Sequence, residues 1–337
     1  MKTYLIKMVL AAAALCLVHA LVLLYVRAPI VAEYWVRELI ELKRYMAAKV
    51  NRPKIIVLGG SNVLFGIDAN SIEKAMGNPA INFGLHGGMR LEDLLAEGAS
   101  AAKPGDTIVL LLEPIFFEDD QSTWTEWQLV NALAWNRSSI DELPLRKKVA
   151  VFFQASNVDL SLQLLSTALG QRLFPGHYEQ REQTLAPAQV IAERYLSGKF
   201  RDESRVYCAY NLDDHGDFGE LKGAFCSSSG ISVARPSHIA PSAKVALSRF
   251  VSLMRARHVR VAFGYSPYLI DGVDTRNWKA SESVFRSDID EIGAQVIEQR
   301  DAVFFRREYF YNGVFHLNSE GRKIRTERLI DALRRIE

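Results

Sequence analysis

Four short stretches of this chain bring together residue types able to do acyl-group chemistry. Gly59-Gly60-Ser61-Asn62 puts a hydroxyl on a glycine turn. A serine that opens a helix there is placed as a nucleophile, and neighbouring backbone N–H groups can hold an oxyanion. Asn82-Phe83-Gly84 offers further donors, Glu113 adds a carboxyl, and Tyr265-Ser266-Pro267-Tyr268 could line a pocket or form a buried aromatic turn. His316 supplies the base such a serine needs, with Asn312 four residues before it. Taken singly, Ser61 could merely cap a helix and His316 could be a satisfied core histidine. The case lies in the set.

The elements that must position these residues read as alternating strands and helices. Apolar runs at 54–58, 79–83 and 107–112 are strands, each followed by amphipathic sequence, at 68–76 and 90–101 for the first two. Near-continuous apolar strands imply a parallel sheet covered on both faces. The alternation lapses over 114–240 and resumes with a helix at 242–258, a strand at 259–265, a helix near 281–300, a short strand at 302–305 and a last helix at 319–336. The chemistry-bearing residues fall just beyond the strands' carboxyl ends, where open α/β sheets bind ligands. The expected architecture is one α/β domain over 53–337, interrupted by a long, mainly helical insertion at about 114–240. The basic last helix, with Arg322, Lys323, Arg325, Arg328, Arg334 and Arg335, reads as a solvated face.

Ahead of this domain, Met8–Val26 is nineteen residues without a formal charge, enough to cross a hydrocarbon core of about 30 Å. Residues 1–28 are therefore expected to be a cytoplasmic tip and an uncleaved transmembrane anchor, in preference to a signal peptide, with 29–52 as a stalk helix. In that helix Trp35, Leu39, Leu42, Tyr45 and Met46 recur at helical spacing. Lys2 and Lys7 favour a cytoplasmic N-terminus, an inner-membrane location and an outward-facing, periplasmic or extracytoplasmic body. Up to residue 54 there are nine Lys/Arg against three Glu, and beyond it 32 basic against 36 acidic residues. A mildly acidic body argues against nucleic acid as partner.

In that compartment Cys208 and Cys226 could form a disulfide or remain two buried thiols. Asp213-Asp214-His215-Gly216-Asp217 clusters oxygen and imidazole groups, but an acidic loop has the same composition, and no metal is assigned. Trp124, Trp127 and Trp135 could stack on sugar rings or pack in a core. With no P-loop, dinucleotide fingerprint or zinc spacing, no cofactor is expected.

At the residues quoted first, the chain resembles the SGNH (GDSL-like) hydrolase superfamily. Gly59-Gly60-Ser61-Asn62 is similar to its first motif, whose serine is the nucleophile. Asn82-x-Gly84 is similar to the second, whose glycine donates to the oxyanion, and His316-Leu317-Asn318 followed by Gly321 to the last, which supplies the base. The likeness covers 54–113 and 242–337. With its anchor and insertion, the chain looks most like the membrane-tethered branch that handles acyl groups on cell-envelope polymers, as teichoic-acid D-alanylation and alginate O-acetylation proteins do.

The resemblance implies a flavodoxin-like three-layer sheet, catalysis by Ser61 and His316, oxyanion donors at Ser61, Gly84 and Asn82, and a pocket bordered by Asn62, Glu113, Tyr265, Ser266 and Tyr268. It also implies a multi-spanning membrane acyltransferase as acyl donor and a glycan acceptor. A periplasmic esterase or deacetylase using water, and a catalytically silent glycan- or partner-binding module, are the alternatives. Two positions depart from the family pattern. Asn312 stands where an aspartate orients the histidine, unless Glu308 or Asp301 does so. Glu113 stands where an asparagine often faces the oxyanion, and a carboxylate there would repel the developing charge unless it is protonated or paired with an arginine.

Overall fold

A computed structural model describes residues 2–26, 28, 30–118, 123–154, 158–174, 186–223, 239–270 and 275–336. Contacts divide the chain into two units, Met1–Arg37 with Thr123–Pro187, and Glu38–Ser122 with Ala188–Glu337.

The second unit is a mixed α/β structure built on a parallel sheet. Its first strands, Ile55–Gly59 (β1), Ala80–Gly84 (β2) and Thr107–Leu111 (β3), are buried almost throughout. Burial on both faces is why each reads as an unbroken apolar run. With Arg260–Phe263 (β4), and with Tyr268–Leu269 (β5) set aside, the sheet ends at Gln295–Val296 (β6), in the order β2-β1-β3-β4-β6 with every pair parallel. Strand progression reverses at β1 and β3, which leaves a crevice beyond their carboxyl ends. The run at 302–305 is not the fifth strand of this sheet. Phe304–Phe305 (β7) pairs with β5 in a separate two-stranded sheet. Phe310–Gly313 (β8) and His316–Leu317 (β9) form an antiparallel hairpin.

Helices cover the sheet. Ser61–Gly66 (α3) begins directly after β1. Ile67 breaks it in an extended conformation, and Asp68 caps the next helix, Ala69–Met76 (α4), by accepting Ser71 N–H at 2.8 Å. One core joins Ile55, Val57, Val109, Leu111 and Ala262 of the sheet to Ile72 of α4 and to Leu329 and Leu333 of the last helix, Ser319–Arg334. The last helix keeps Lys323, Arg334 and Arg335 exposed, as expected of a solvated face, but buries Arg322 and Arg325. Arg325 is 1% exposed and paired with Glu298, while Arg322 reaches the carbonyls of Phe218 and Gly219. The guanidiniums satisfy buried acceptors that periodicity does not reveal. The expected stalk helix is Tyr34–Lys49 (α2), and from Leu39 to Ala47 its apolar stripe is buried.

In the other unit Lys2–Tyr25 (α1), with mean hydropathy 2.5, is long and apolar enough to cross a membrane. Its side chains are mostly exposed, but Val22 and Leu23 enter a core with Ile30, Trp124, Leu129, Leu133, Ile140, Val151, Leu160 and Leu164. Residues 123–187 thus cluster with the N-terminal segment rather than with the sheet. His19, the polar residue of the apolar run, meets Ser161 Oγ at 2.5 Å, and Arg137 donates to the carbonyl of Leu24 near the end of α1.

Candidate functional site

Beyond β1, the turn at Gly60 delivers Ser61 at the first position of α3. No side chain fits at Gly60, because a Cβ there would stand 2.4 Å from the Glu113 carboxyl. The β8–β9 hairpin brings His316 to the serine, with Nε2 2.8 Å from Ser61 Oγ. On the far side of the ring, Nδ1 lies 2.6 Å from Asn312 Oδ1, and Asn312 Nδ2 donates to Tyr207 Oη at 3.0 Å. Phe65 of α3 stacks on the imidazole at 4.5 Å between centroids and 24° between planes, and Tyr207 meets Phe65 edge-on. Four side chains from α3, the hairpin and the 207 segment therefore form one line, Ser61–His316–Asn312–Tyr207. Burial lowers the pKa of His316 to about 4, and the nearby His86 adds to that depression. The ring is held neutral, as a base must be.

Glu113, 2% exposed, approaches Ser61 from the β3 side. Its Oε1 accepts Asn62 N–H at 2.9 Å and lies 3.2 Å from Ser61 Oγ. Burial pushes this carboxyl up, only partly opposed by the Asn62, Glu113 and Gly60 backbone amides and by the contact with Ser61. The Asn62 side chain donates back to Leu111 O at 2.8 Å and so ties α3 to β3.

Asn82 and Gly84 lie close by but are engaged structurally. Asn82 is fully buried, directs Nδ2 at Val63 O, Ile67 O and Asp217 Oδ1, and accepts Gly84 N–H at 2.9 Å. The Gly84 amide is thereby committed to a side chain. The glycine itself is required by a close approach, since a Cβ would stand 2.1 Å from Leu64 N. Tyr265, Ser266 and Tyr268 are at most 2% exposed and form the buried aromatic turn, with Tyr265 N–H on Glu298 and Tyr268 near Phe304 and Phe315. Cys208 Sγ lies 3.7 Å from Phe200 O, and the Cys226 half of the expected disulfide falls outside the described residues.

Two residues that support the site were not read as part of it from the sequence. Lys43 of α2, fully buried, donates to Asn82 O at 2.6 Å and to Gly216 O. Asp217 accepts Ala69 N–H at 2.7 Å at the start of α4 and receives Asn82 Nδ2 at 3.0 Å. Burial drives these two charges toward neutrality, lowering Lys43 and raising Asp217. A lysine inside the stripe Leu39, Leu42, Met46 was the available hint. Asp213 Oδ1 accepts the amides of His215 and Asp217, so the acidic stretch is a tight turn, and no metal-holding cluster occurs among the described residues. A cavity of about 600 Å³ opens nearby on Arg201, Asn211, Asp213, Phe218 and Lys222; neither Ser61 nor His316 lines it.

Compared with protein-family models, with curated proteins and with solved structures, the chain gives no match.

Proposed function

We propose that this chain is a membrane-tethered, outward-facing acyltransferase of the SGNH type. It would form an acyl-Ser61 intermediate and pass the acyl group to a hydroxyl of a cell-envelope glycan. The observation that carries this reading is the hydrogen-bonded line Ser61–His316–Asn312 at 2.8 and 2.6 Å, beyond the carboxyl ends of parallel strands. As Ser61 Oγ attacks an ester carbonyl, His316 Nε2 takes its proton and later returns it to the leaving alcohol; the acceptor hydroxyl then repeats the cycle in reverse. Asn312 fixes the ring's orientation but offers no charge to the imidazolium. Transfer rather than hydrolysis is favoured by α1, which would hold the site beside a membrane acyl donor such as a multi-spanning acyltransferase.

A fluorophosphonate probe tests the nucleophile. Wild-type protein is expected to be labelled and Ser61→Ala to be blank, with His316→Ala slower by about 10³-fold or more. Unlabelled, well-folded wild-type protein would leave only a silent binding module. Given labelling, loss of acyl groups from a glycan with none gained would make the protein an esterase.

A further inference from the structure

The protons around Ser61 can be counted. Asn312 gives its Nδ2 to Tyr207 and its Oδ1 to His316, and an amide oxygen only accepts. His316 Nδ1 therefore bears the ring proton, and Nε2 of the neutral imidazole is an acceptor. Ser61 has one proton, and it goes to Nε2. The contact of Ser61 Oγ with Glu113 Oε1 at 3.2 Å, in which the hydroxyl donates when the carboxyl is ionised, is then made by a proton on the carboxyl. The surroundings agree with a neutral acid. Glu113 is buried, its Oε2 makes no hydrogen bond, and no cation pairs with it among the described residues, although the Asn62 amide donates to Oε1. The titratable groups facing it are Ser61 directly, then His316 through Ser61 and His86 beyond.

Resting on the serine chemistry above, we propose that Glu113 is a catalytic residue, a neutral carboxylic acid whose O–H donates to the oxyanion of the acyl-Ser61 tetrahedral intermediate. Room for the reacting carbonyl exists on the right side. A Cβ placed on Gly87 would lie 3.4 Å from Ser61 Oγ and 3.5 Å from Glu113 Oε1, so the absent side chain leaves open the space that touches both atoms. In the step, the Oγ–C bond forms and the carbonyl π pair moves onto oxygen, while the Ser61 proton goes to His316 Nε2. The Glu113 proton stays on Glu113 and is only shared with the oxyanion. On collapse the π bond reforms, the bond to the leaving oxygen breaks, and that oxygen takes the proton from His316. Gly84, whose amide is held by Asn82, is relieved of the donor role. An acid kept neutral by an apolar site so that it can stabilise an oxyanion is a known solution in ketosteroid isomerase.

The experiment uses the full chain in detergent and measures single-turnover acylation by a fluorophosphonate and by p-nitrophenyl acetate. Glu113→Gln keeps a neutral donor and is expected to stay within about threefold of wild type, while Glu113→Ala loses about 10²–10³-fold, as for other single oxyanion donors. Wild-type acylation should fall at alkaline pH as Glu113 ionises, and the Gln variant should lack that limb. Infrared difference spectra should show a protonated-carboxyl C=O band in the wild type at neutral pH that Glu113→Gln removes. Full activity in the Ala variant, a Gln variant as impaired as Ala, or absence of the band each overturns the proposal; the second would make the carboxylate a proton acceptor. The alkaline limb is read on wild-type protein, so a variant that fails to fold does not decide the matter; the band is assigned by its loss in Glu113→Gln, because Asp217 is a second buried carboxyl pushed toward the neutral form. Labelled Ser61 with any of those results removes Glu113 alone, whereas an unlabelled wild type removes the serine chemistry and this proposal together.

Discussion

An asparagine behind a histidine base orients the ring without stabilising its charge. Asn312 fixes the tautomer at 2.6 Å, yet burial and His86 still hold His316 at about 4. A pKa this far below the ordinary 6.5 means that the base remains unprotonated down to mildly acidic pH. The acid limb of acylation is therefore expected near pH 4 rather than 6.5. The same shift makes the imidazole's contribution to stability complete above about 6.5 and progressively lost as pH falls toward 4, because the unfolded chain binds the proton first. Asn312→Asp supplies the missing charge. It should raise the His316 pKa, carry the acid limb upward, and speed acylation at neutral pH by about tenfold or more, since the opposite exchange in serine proteases costs about 10⁴. Rate–pH profiles of the two proteins decide it, and an unmoved limb would show that Asn312 does not act on the ring.

At the level of elements, the nucleophile is placed by a network rather than by its own helix, which is only six residues long. Asn82 reaches the carbonyls of Val63 and Ile67, Asp217 holds both Asn82 and the start of α4, and Lys43 fastens the 82 and 216 backbones to α2. Removing one member of a buried charge network leaves the rest uncompensated. Lys43→Met should cost about 3–5 kcal/mol and slow Ser61 labelling, and Asp217→Asn in the same chain should recover part of it. Urea unfolding of the double-mutant cycle measures both, and additive losses would mean the two charges are not coupled. The pairing of these residues was not legible in the sequence, because the partners are 39, 135 and 173 residues apart and no local pattern relates them. By contrast β1, β2 and β3 were legible, since burial on both faces leaves only apolar residues to write them. Ser61 was legible because it follows the end of β1, and His316 because it stands just before the last helix, although it opens β9 of the hairpin. β6 was not, being two residues long with Gln295 exposed, and the more apolar Phe304–Phe305 drew the assignment although it pairs elsewhere.

For the molecule as a whole, the basic N-terminal part and the mildly acidic remainder had suggested a plain anchor followed by a body. The structure gives this apolar helix a place in a core. The last turn of α1 places Val22 and Leu23 in the core closed by Trp124, Leu129, Leu133, Leu160 and Leu164, so the helix that can cross a membrane is also part of a folded unit. Burying two such side chains contributes roughly 1.5–3 kcal/mol each, a large share of what a small helical unit can muster. A chain shortened to begin at Ala28 should therefore lose order in one unit and keep it in the other. Amide hydrogens and protease sites within 123–174 should become exposed, while Ser61 is still labelled at near its full rate, because the sheet core and the Ser61–His316–Asn312 line lie wholly within Glu38–Ser122 and Ala188–Glu337. Hydrogen exchange and limited proteolysis of the shortened protein read the first effect, and probe labelling the second. Full protection of 123–174 without α1 would show that Val22 and Leu23 fill that core without holding it together.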